Sequence, residues 1–418
     1  MSDQRLFLGL DIGTSGARVL VIDEAGGLRA AAKSAMADHG GDLRAPNVWR
    51  AAAFHALNLA LAQINPAEIV ALAVDGTSGT MLALDAAGDP LGDGLMYDDR
   101  AADAAALTLI AATAPPTSAA HGPTSGLAKA FDLLTRAPAR IAHQADWIAS
   151  LFSGRLVSDA NNALKTGYDP VAEAWPDWIA ATGFPTRLLP DVLAPGAAAA
   201  TVTREASRRF GLNPQALVVA GTTDGCASFL ATGAKETGDG VSALGTTLTI
   251  KQLSDRPLFA PEYGVYSHKI LGLWLVGGAS NSGGGALLAH FTAAEIEALT
   301  PRLTPDEPTG LDYYPLARPG ERFPLADPAL APRVDPRPDD PARFLQGLLE
   351  GIASVEALAY GQLQRLGAPK LTCVRSVGGG ARNDAWTQIR ARRLGVPLLA
   401  ALQEEAAYGA ALLAREGA

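Results

Sequence analysis

The chain has 418 residues, 34 Lys and Arg against 43 Asp and Glu, a formal charge of −9 and 48% hydrophobic residues. That length exceeds what one hydrophobic core usually organises, so two domains are expected, at 1–230 and 231–418. The acidic balance and the lack of a Lys/Arg run argue against nucleic acid. No apolar stretch is long enough to span a bilayer and none at the N-terminus suits a signal peptide, so a soluble cytoplasmic protein without membrane contact is expected.

Taken in chain order, Phe7 to Ile22 reads as strand, tight turn, strand, with Gly13-Thr14-Ser15-Gly16 at the turn and Asp11 delivered into it. Leu28 to Ala37 is expected as a third strand, Ala51 to Gln63 as an amphipathic helix, and Ile69 to Asp75 as a buried strand ending on an acid. Antiparallel strands, then a helix, then a parallel strand mark an α/β lobe. Ile141 to Phe152 is expected to be helical and to end at Gly154. Leu217 to Ala220 is a short strand running into Gly221-Thr222-Thr223-Asp224.

The second lobe is expected to begin near Ala231. Val241 to Ile250 repeats the hairpin, with Gly245-Thr246-Thr247 at its turn, and Tyr263 to Lys269 and Leu271 to Val276 follow as strands. Prolines crowd Pro301 to Pro341, a composition that alone suggests a linker. Ala342 to Leu366 has the apolar spacing of a long helix, Leu371 to Val377 reads as a strand before Gly378-Gly379-Gly380, and two helices close the chain. Cys226 and Cys373 sit in apolar surroundings as buried thiols, and the six histidines lack zinc-ligand spacing.

A turn of Gly and Thr offers backbone N–H groups and hydroxyls without bulk, which suits a phosphate chain. Either turn alone is more often just an ordinary hairpin. Two of them, one acidic, suggest two related lobes gripping one nucleotide from opposite sides. No G-x-x-x-x-G-K-[ST] loop and no strand-linked G-x-G-x-x-G is present, so nucleotide binding would use the hairpins.

These features, in this order along nearly the whole chain, resemble the FGGY carbohydrate kinases of the actin-like ATPase superfamily. Asp11-Ile12-Gly13-Thr14-Ser15 and Leu244-Gly245-Thr246-Thr247 resemble the two phosphate motifs. Asp98-x-Arg100-Ala101 resembles the sugar-side stretch, with Met96 where Trp is common, and Gly221-Thr222-Thr223-Asp224 resembles the strand end bearing the catalytic aspartate. Gly378-Gly379-Gly380-Ala381-Arg382-Asn383 resembles the adenosine motif, and Glu405 to Ala411 the closing helix. Pro315 to Pro324, with Gly320-Glu321-Arg322, resembles an ordered family loop and not a linker. Two positions depart: the turn Asp75-Gly76-Thr77-Ser78-Gly79-Thr80 lacks the histidine of long xylulokinases, and Arg392 stands where an acidic residue is usual.

The resemblance implies an α/β fold of two actin-like (ribonuclease H-like) lobes with nucleotide and sugar in an interlobe cleft. It implies ATP and Mg²⁺, with Asp224 as general base and Asp11 as both metal and substrate contact. Gly13, Thr14, Ser15, Gly245, Thr246 and Thr247 would meet the phosphates, and Gly379, Gly380 and Asn383 the adenosine. Gly284, in the Gly277–Gly285 stretch, would line the nucleotide site, although a capped helix start explains that stretch nearly as well. Ser78, Asp98 and Arg100 are the sugar candidates, against an equal reading of Asp98-Asp99-Arg100 as a solvated cluster. The short length and the Asp75-to-Thr80 turn most resemble the compact plant and cyanobacterial subgroup, which implies D-ribulose. D-xylulose, L-ribulose, glycerol or another polyol are the alternatives, a catalytically silent sugar sensor is the reading from another class, and a monomer or homodimer is expected.

Overall fold

The computed structural model describes residues 5–418. It divides into two units. The first comprises the chain to Ala231 together with His268–Gly272 and Glu405–Ala418, and the second comprises Thr232–Ser267 and Leu273–Glu404. The last helix, which the sequence reading placed with the second lobe, therefore belongs to the first unit.

The first unit is built on β1 (Leu6–Ile12), β2 (Gly16–Asp23), β3 (Leu28–Ala35), β4 (Ile69–Gly76), β5 (Ala198–Thr201) and β6 (Leu217–Thr223). Their order across the sheet is β3-β2-β1-β4-β6-β5. β1 runs antiparallel to β2 and parallel to β4, and β6 is parallel to β4. Every residue of β1 is buried, because helices cover both faces of the sheet. Helix Pro46–Leu61 packs on one face through Trp49, Ala53, Ala56 and Leu57. It starts five residues before the expected Ala51, since Pro46 is tolerated in a first helical turn whose N–H groups lack intrahelical partners anyway.

On the other face lies the last helix, Ala406–Glu416, whose small residues let backbones meet. A methyl group on Gly9 would sit 1.9 Å from the Ala407 carbonyl oxygen, and one on Gly409 would sit 1.9 Å from the Ala227 carbonyl oxygen. Both obstacles are backbone and cannot rotate away. Gly9→Ala is therefore expected to destabilise the protein by about 1–3 kcal/mol or more, the cost of overpacking. Thermal unfolding checks this; an unchanged midpoint would mean that the helix packs elsewhere.

Two expected elements are corrected. Arg140–His143 is a strand paired antiparallel with Met81–Leu84, and the helix is Gln144–Ser153. The Asp146 carboxylate accepts from the His143 backbone N–H in a capping box, which fixes the helix start at Gln144. The Tyr263–Lys269 strand shrinks to His268–Ile270, because Pro261 opens a 3₁₀ turn through Tyr263.

The second unit repeats the pattern with β7 (Asp239–Leu244), β8 (Leu248–Ser254), β9 (Leu273–Ser280), β10 (Cys373–Val377) and β11 (Leu398–Leu399), ordered β9-β8-β7-β10-β11. Again a three-stranded antiparallel meander is followed by parallel strands. Helix Pro341–Arg365 buries Phe344, Leu348, Ile352, Val355 and Leu363 in the core of this unit. The proline-rich segment is ordered on it. Glu321 is almost fully buried, accepting from Ser280 Oγ at 2.6 Å, the Asn281 N–H at 2.7 Å and Tyr314 OH at 2.8 Å. Among the described residues, no helix is long and apolar enough to cross a membrane.

Candidate functional site

Three parallel strands of the first unit end on polar residues at one edge. Asp11 on β1 lies beside Asp75 on β4, and Asp75 lies beside Thr222 on β6. Partners in register point to the same face, so the two carboxyl groups are neighbours. One residue beyond β6, Asp224 opens helix Asp224–Ala231, half-buried, with Oδ1 accepting from the Gly225 N–H at 2.7 Å.

These acids have unlike surroundings. Asp75 is completely buried and neither of its oxygens has a hydrogen-bond donor. Burial above all, then the charges of Asp11 and Asp224, push its carboxyl well above the ordinary range. Asp11 is also raised, chiefly by burial, while the neighbouring Asp75 carboxyl and the guanidinium of Arg18 act against the shift. Arg18 Nη1 lies 3.1 Å from Asp11 Oδ2, and Arg18 Nε lies 3.3 Å from Glu405 Oε2.

Gly13, Thr14 and Ser15 form the turn between β1 and β2, closed by the Gly13 N–H to the Gly16 carbonyl at 3.0 Å, with both hydroxylated residues exposed. Past Asp75 the chain turns through Thr77–Thr80. Thr77 Oγ1 meets Thr80 Oγ1 at 2.6 Å and donates to Gln144 Oε1 at 3.0 Å. The Ser78 hydroxyl oxygen and Gln144 Nε2 are buried without a partner. Asp98 and Arg100 are exposed, on either side of Asp99, which takes the ion pair with Arg44 and accepts from the Met96 N–H at 2.8 Å. Of that triplet, Asp99 holds structure while Asp98 and Arg100 face solvent.

In the second unit, Gly245-Thr246-Thr247 is the exposed turn between β7 and β8. Gly284 and Gly285 donate to the Gly245 and Thr246 carbonyls, both at 2.9 Å, at the start of helix Gly284–Leu288. A methyl on Gly284 would lie 2.8 Å from the Gly245 oxygen, so this helix start abuts the turn only because it is glycine. Gly378–Gly380 packs against Leu244 from the other side, while Gly379 has open space where a side chain would be. Asn383 caps helix Asp384–Leu394 through the Trp386 N–H at 2.9 Å, and its Nδ2 lies 3.2 Å from Thr300 Oγ1. The second unit thus gathers Gly245–Thr247, Gly284, Gly379 and Gly380 around one hairpin turn, with Asn383 setting the next helix.

Residues 216–415 match the model of the FGGY family of carbohydrate kinases, C-terminal domain. That segment is an FGGY carbohydrate-kinase domain. Over 302 residues, 65% of the chain, the sequence is 28% identical to autoinducer-2 kinase of Yersinia enterocolitica, and the match spans just over half, 56%, of that relative. The fold matches a solved xyloylose kinase from Brucella ovis with a TM-score of 0.85 at 24% identity, covering 99% of this chain and 91% of that one. It also matches Plasmodium falciparum glycerol kinase with ADP, with a TM-score of 0.81 at 14% identity and coverage of 99% and 90%. These likenesses show that the α/β fold is that of the two-lobed sugar kinases, and the FGGY match itself covers residues 216–415.

The sequence reading left Asp75, Arg18, Gln144 and Lys129 out of the candidate set. Asp75 carried a signal: like Asp11, it ends a buried apolar strand. Gln144 and Lys129 are visible only through partners distant in sequence, while Arg18 meets Asp11 across the hairpin.

Proposed function

We propose that the chain is an ATP-dependent kinase of a small ketose or polyol, with D-ribulose the favoured acceptor. The observation that supports this reading is the convergence of Asp11, Asp75 and Asp224 beside the exposed Gly13–Ser15 turn, in a chain bearing an FGGY domain. Asp224 is assigned as general base: it takes the proton of the acceptor hydroxyl as that oxygen bonds to the γ-phosphorus and the bond to the ADP oxygen breaks. Ser78, Asp98, Arg100 and Asp11 are assigned to the acceptor. Gly13, Thr14 and Ser15 in the first unit, and Gly245, Thr246, Thr247 and Gly284 in the second, are assigned to the phosphates. Gly379, Gly380 and Asn383 are assigned to the adenosine.

The acids fit Mg²⁺. Among the described residues no group of three or more His, Cys, Asp or Glu side chains forms a closed cage. Mg²⁺ prefers one or two carboxylates with waters and phosphate oxygens; Asp11 can offer one, and the buried oxygens of Asp75 beside it have no donor. When bound, the ion supplies neutralisation of phosphate charge, and Arg18 keeps the Asp11 carboxylate oriented.

The test is sugar-dependent ADP release with D-ribulose, D-xylulose, L-ribulose, glycerol and autoinducer-2 as acceptors. Saturable turnover on one acceptor supports the kinase and names its substrate. ATP and sugar binding without turnover would favour the sensor reading. In the same assay Asp11→Asn is expected to raise the Mg²⁺ needed for half-maximal rate by on the order of 10–100-fold; an unchanged requirement would remove Asp11 from the metal site.

A further inference from the structure

Lys129 lies on helix Gly126–Leu133 and its side chain is completely buried. Its Nζ donates to the carbonyl oxygens of Gly79 at 2.7 Å, Met96 at 2.6 Å and Tyr97 at 3.0 Å. An ammonium has three N–H donors and no acceptor, so all three are used. The three carbonyls come from two segments: the turn that carries Ser78, and the stretch immediately before Asp98 and Arg100. Gly79 holds φ +91°, a left-handed conformation that aims its carbonyl inward, and the next contact between the segments is the Met81–Leu95 backbone pair.

We infer that Lys129 is a positioning residue for the acceptor, the pin that sets the spacing between Ser78 and the Asp98–Arg100 pair. This rests on the kinase reading above. Without the ammonium, three inward carbonyl dipoles face one another with no donor, and the two segments must separate or admit water. Lys129 would not touch the sugar; it acts through the main chain of the residues that do.

Charge supports the geometry. Burial first, and then the nearby Lys165, lower the Lys129 ammonium to about 8, while Asp99 and Asp98 oppose the shift. Asp99 is itself paired with Arg44. A neutral amine keeps two N–H donors for three carbonyls, so one contact is lost as pH rises through about 8. The sign for stability is the opposite. A lysine whose folded value lies below its unfolded one adds stability between the two as pH rises, because the cost of burying its charge disappears. The signature is therefore a weaker acceptor site without a weaker fold.

The experiment compares the wild-type chain with Lys129→Met, using the best acceptor from the panel, D-ribulose first. The expected result is an acceptor KM raised at least about tenfold in Lys129→Met, the value of one lost charge-assisted contact, with the ATP KM within twofold. In the wild type the acceptor KM should climb between pH 7 and 9.5 while the ATP KM stays level, and the variant should lose that climb. An acceptor KM that is flat with pH in the wild type, or an ATP KM that moves equally, overturns the inference. Amide hydrogen exchange without sugar tests the pin separately from the kinase reading. Faster exchange at residues 78–81 and 95–99 in the variant, with 245–248 unchanged, supports it even if no acceptor is found, and equal exchange at those segments overturns it. Should Lys129→Met fail to fold, the wild-type pH profiles and the wild-type exchange at pH 7 and 9.5 decide the question alone.

Discussion

Asp224→Ala is expected to lower kcat for sugar phosphorylation by about 10²–10⁴-fold, the usual contribution of a positioned general base, with ATP affinity nearly unchanged. The expectation follows from where the fold puts this acid. β6 runs parallel to β4 and delivers Thr222 beside Asp75, so the helix that follows begins at the same edge as Asp11. Of the three acids, Asp75 is completely buried and Asp11 nearly so, with Arg18 on its carboxylate. Asp224 is the half-buried one, open enough to reach a substrate. Titration of ATP into the variant, beside steady-state rates, separates chemistry from binding. Turnover within tenfold of wild type would place the base elsewhere; lost ATP affinity would make Asp224 a nucleotide contact.

How much of this was legible in the residues depends on how far apart the partners lie. Both hairpins could be read directly, because Gly13–Gly16 and Gly245–Thr247 each interrupt runs of β-branched and aliphatic residues, and local turn chemistry decides them. The proline-rich segment could be read as ordered only through the family resemblance. Its order rests on Glu321 accepting from Ser280, Asn281 and Tyr314, contacts that composition does not encode. Asp75 stayed out of the candidate set because its pairing with Asp11 depends on the register of strands some sixty residues apart. Lys129 looked like any helix lysine, since nothing in its neighbours announces three carbonyls from positions 79, 96 and 97. The last helix was assigned by chain order to the second lobe. Its Ala and Gly stripe fits Gly9 and Ala227 instead, and close packing outweighed sequence proximity.

Glu356→Ala should cost about 3–5 kcal/mol of stability, the penalty for leaving a buried charge without its partner. Arg390 and Glu356 are both completely buried in the second unit, joined by Nε to Oε2 at 2.6 Å and Nη2 to Oε1 at 2.7 Å. Glu356 Oε1 also accepts from Ser242 Oγ at 2.6 Å, and Arg390 Nη1 donates to Ser376 Oγ at 2.8 Å. Tyr360 OH lies 3.0 Å from Ser242, and burial, with the Glu356 charge, pushes its phenol far above the usual range. One ion pair thus ties β7, β10, helix Pro341–Arg365 and helix Asp384–Leu394. β7 leads into the Gly245–Thr247 turn, β10 leads to Gly378–Gly380, and helix Asp384–Leu394 is capped by Asn383. Removing the carboxylate leaves a guanidinium in an apolar interior with one hydroxyl for company. Replacing both partners, Glu356→Met with Arg390→Met, removes the stranded charge and should recover much of the loss, as apolar replacement of buried pairs often does. Urea unfolding of the single and double variants checks this. A single variant within about 1 kcal/mol of wild type, the median worth of exposed pairs, would mean that water reaches the pair. The same comparison bears on function: if these strands hold the nucleotide-facing turns in place, ATP affinity should fall in Glu356→Ala and return with the double replacement.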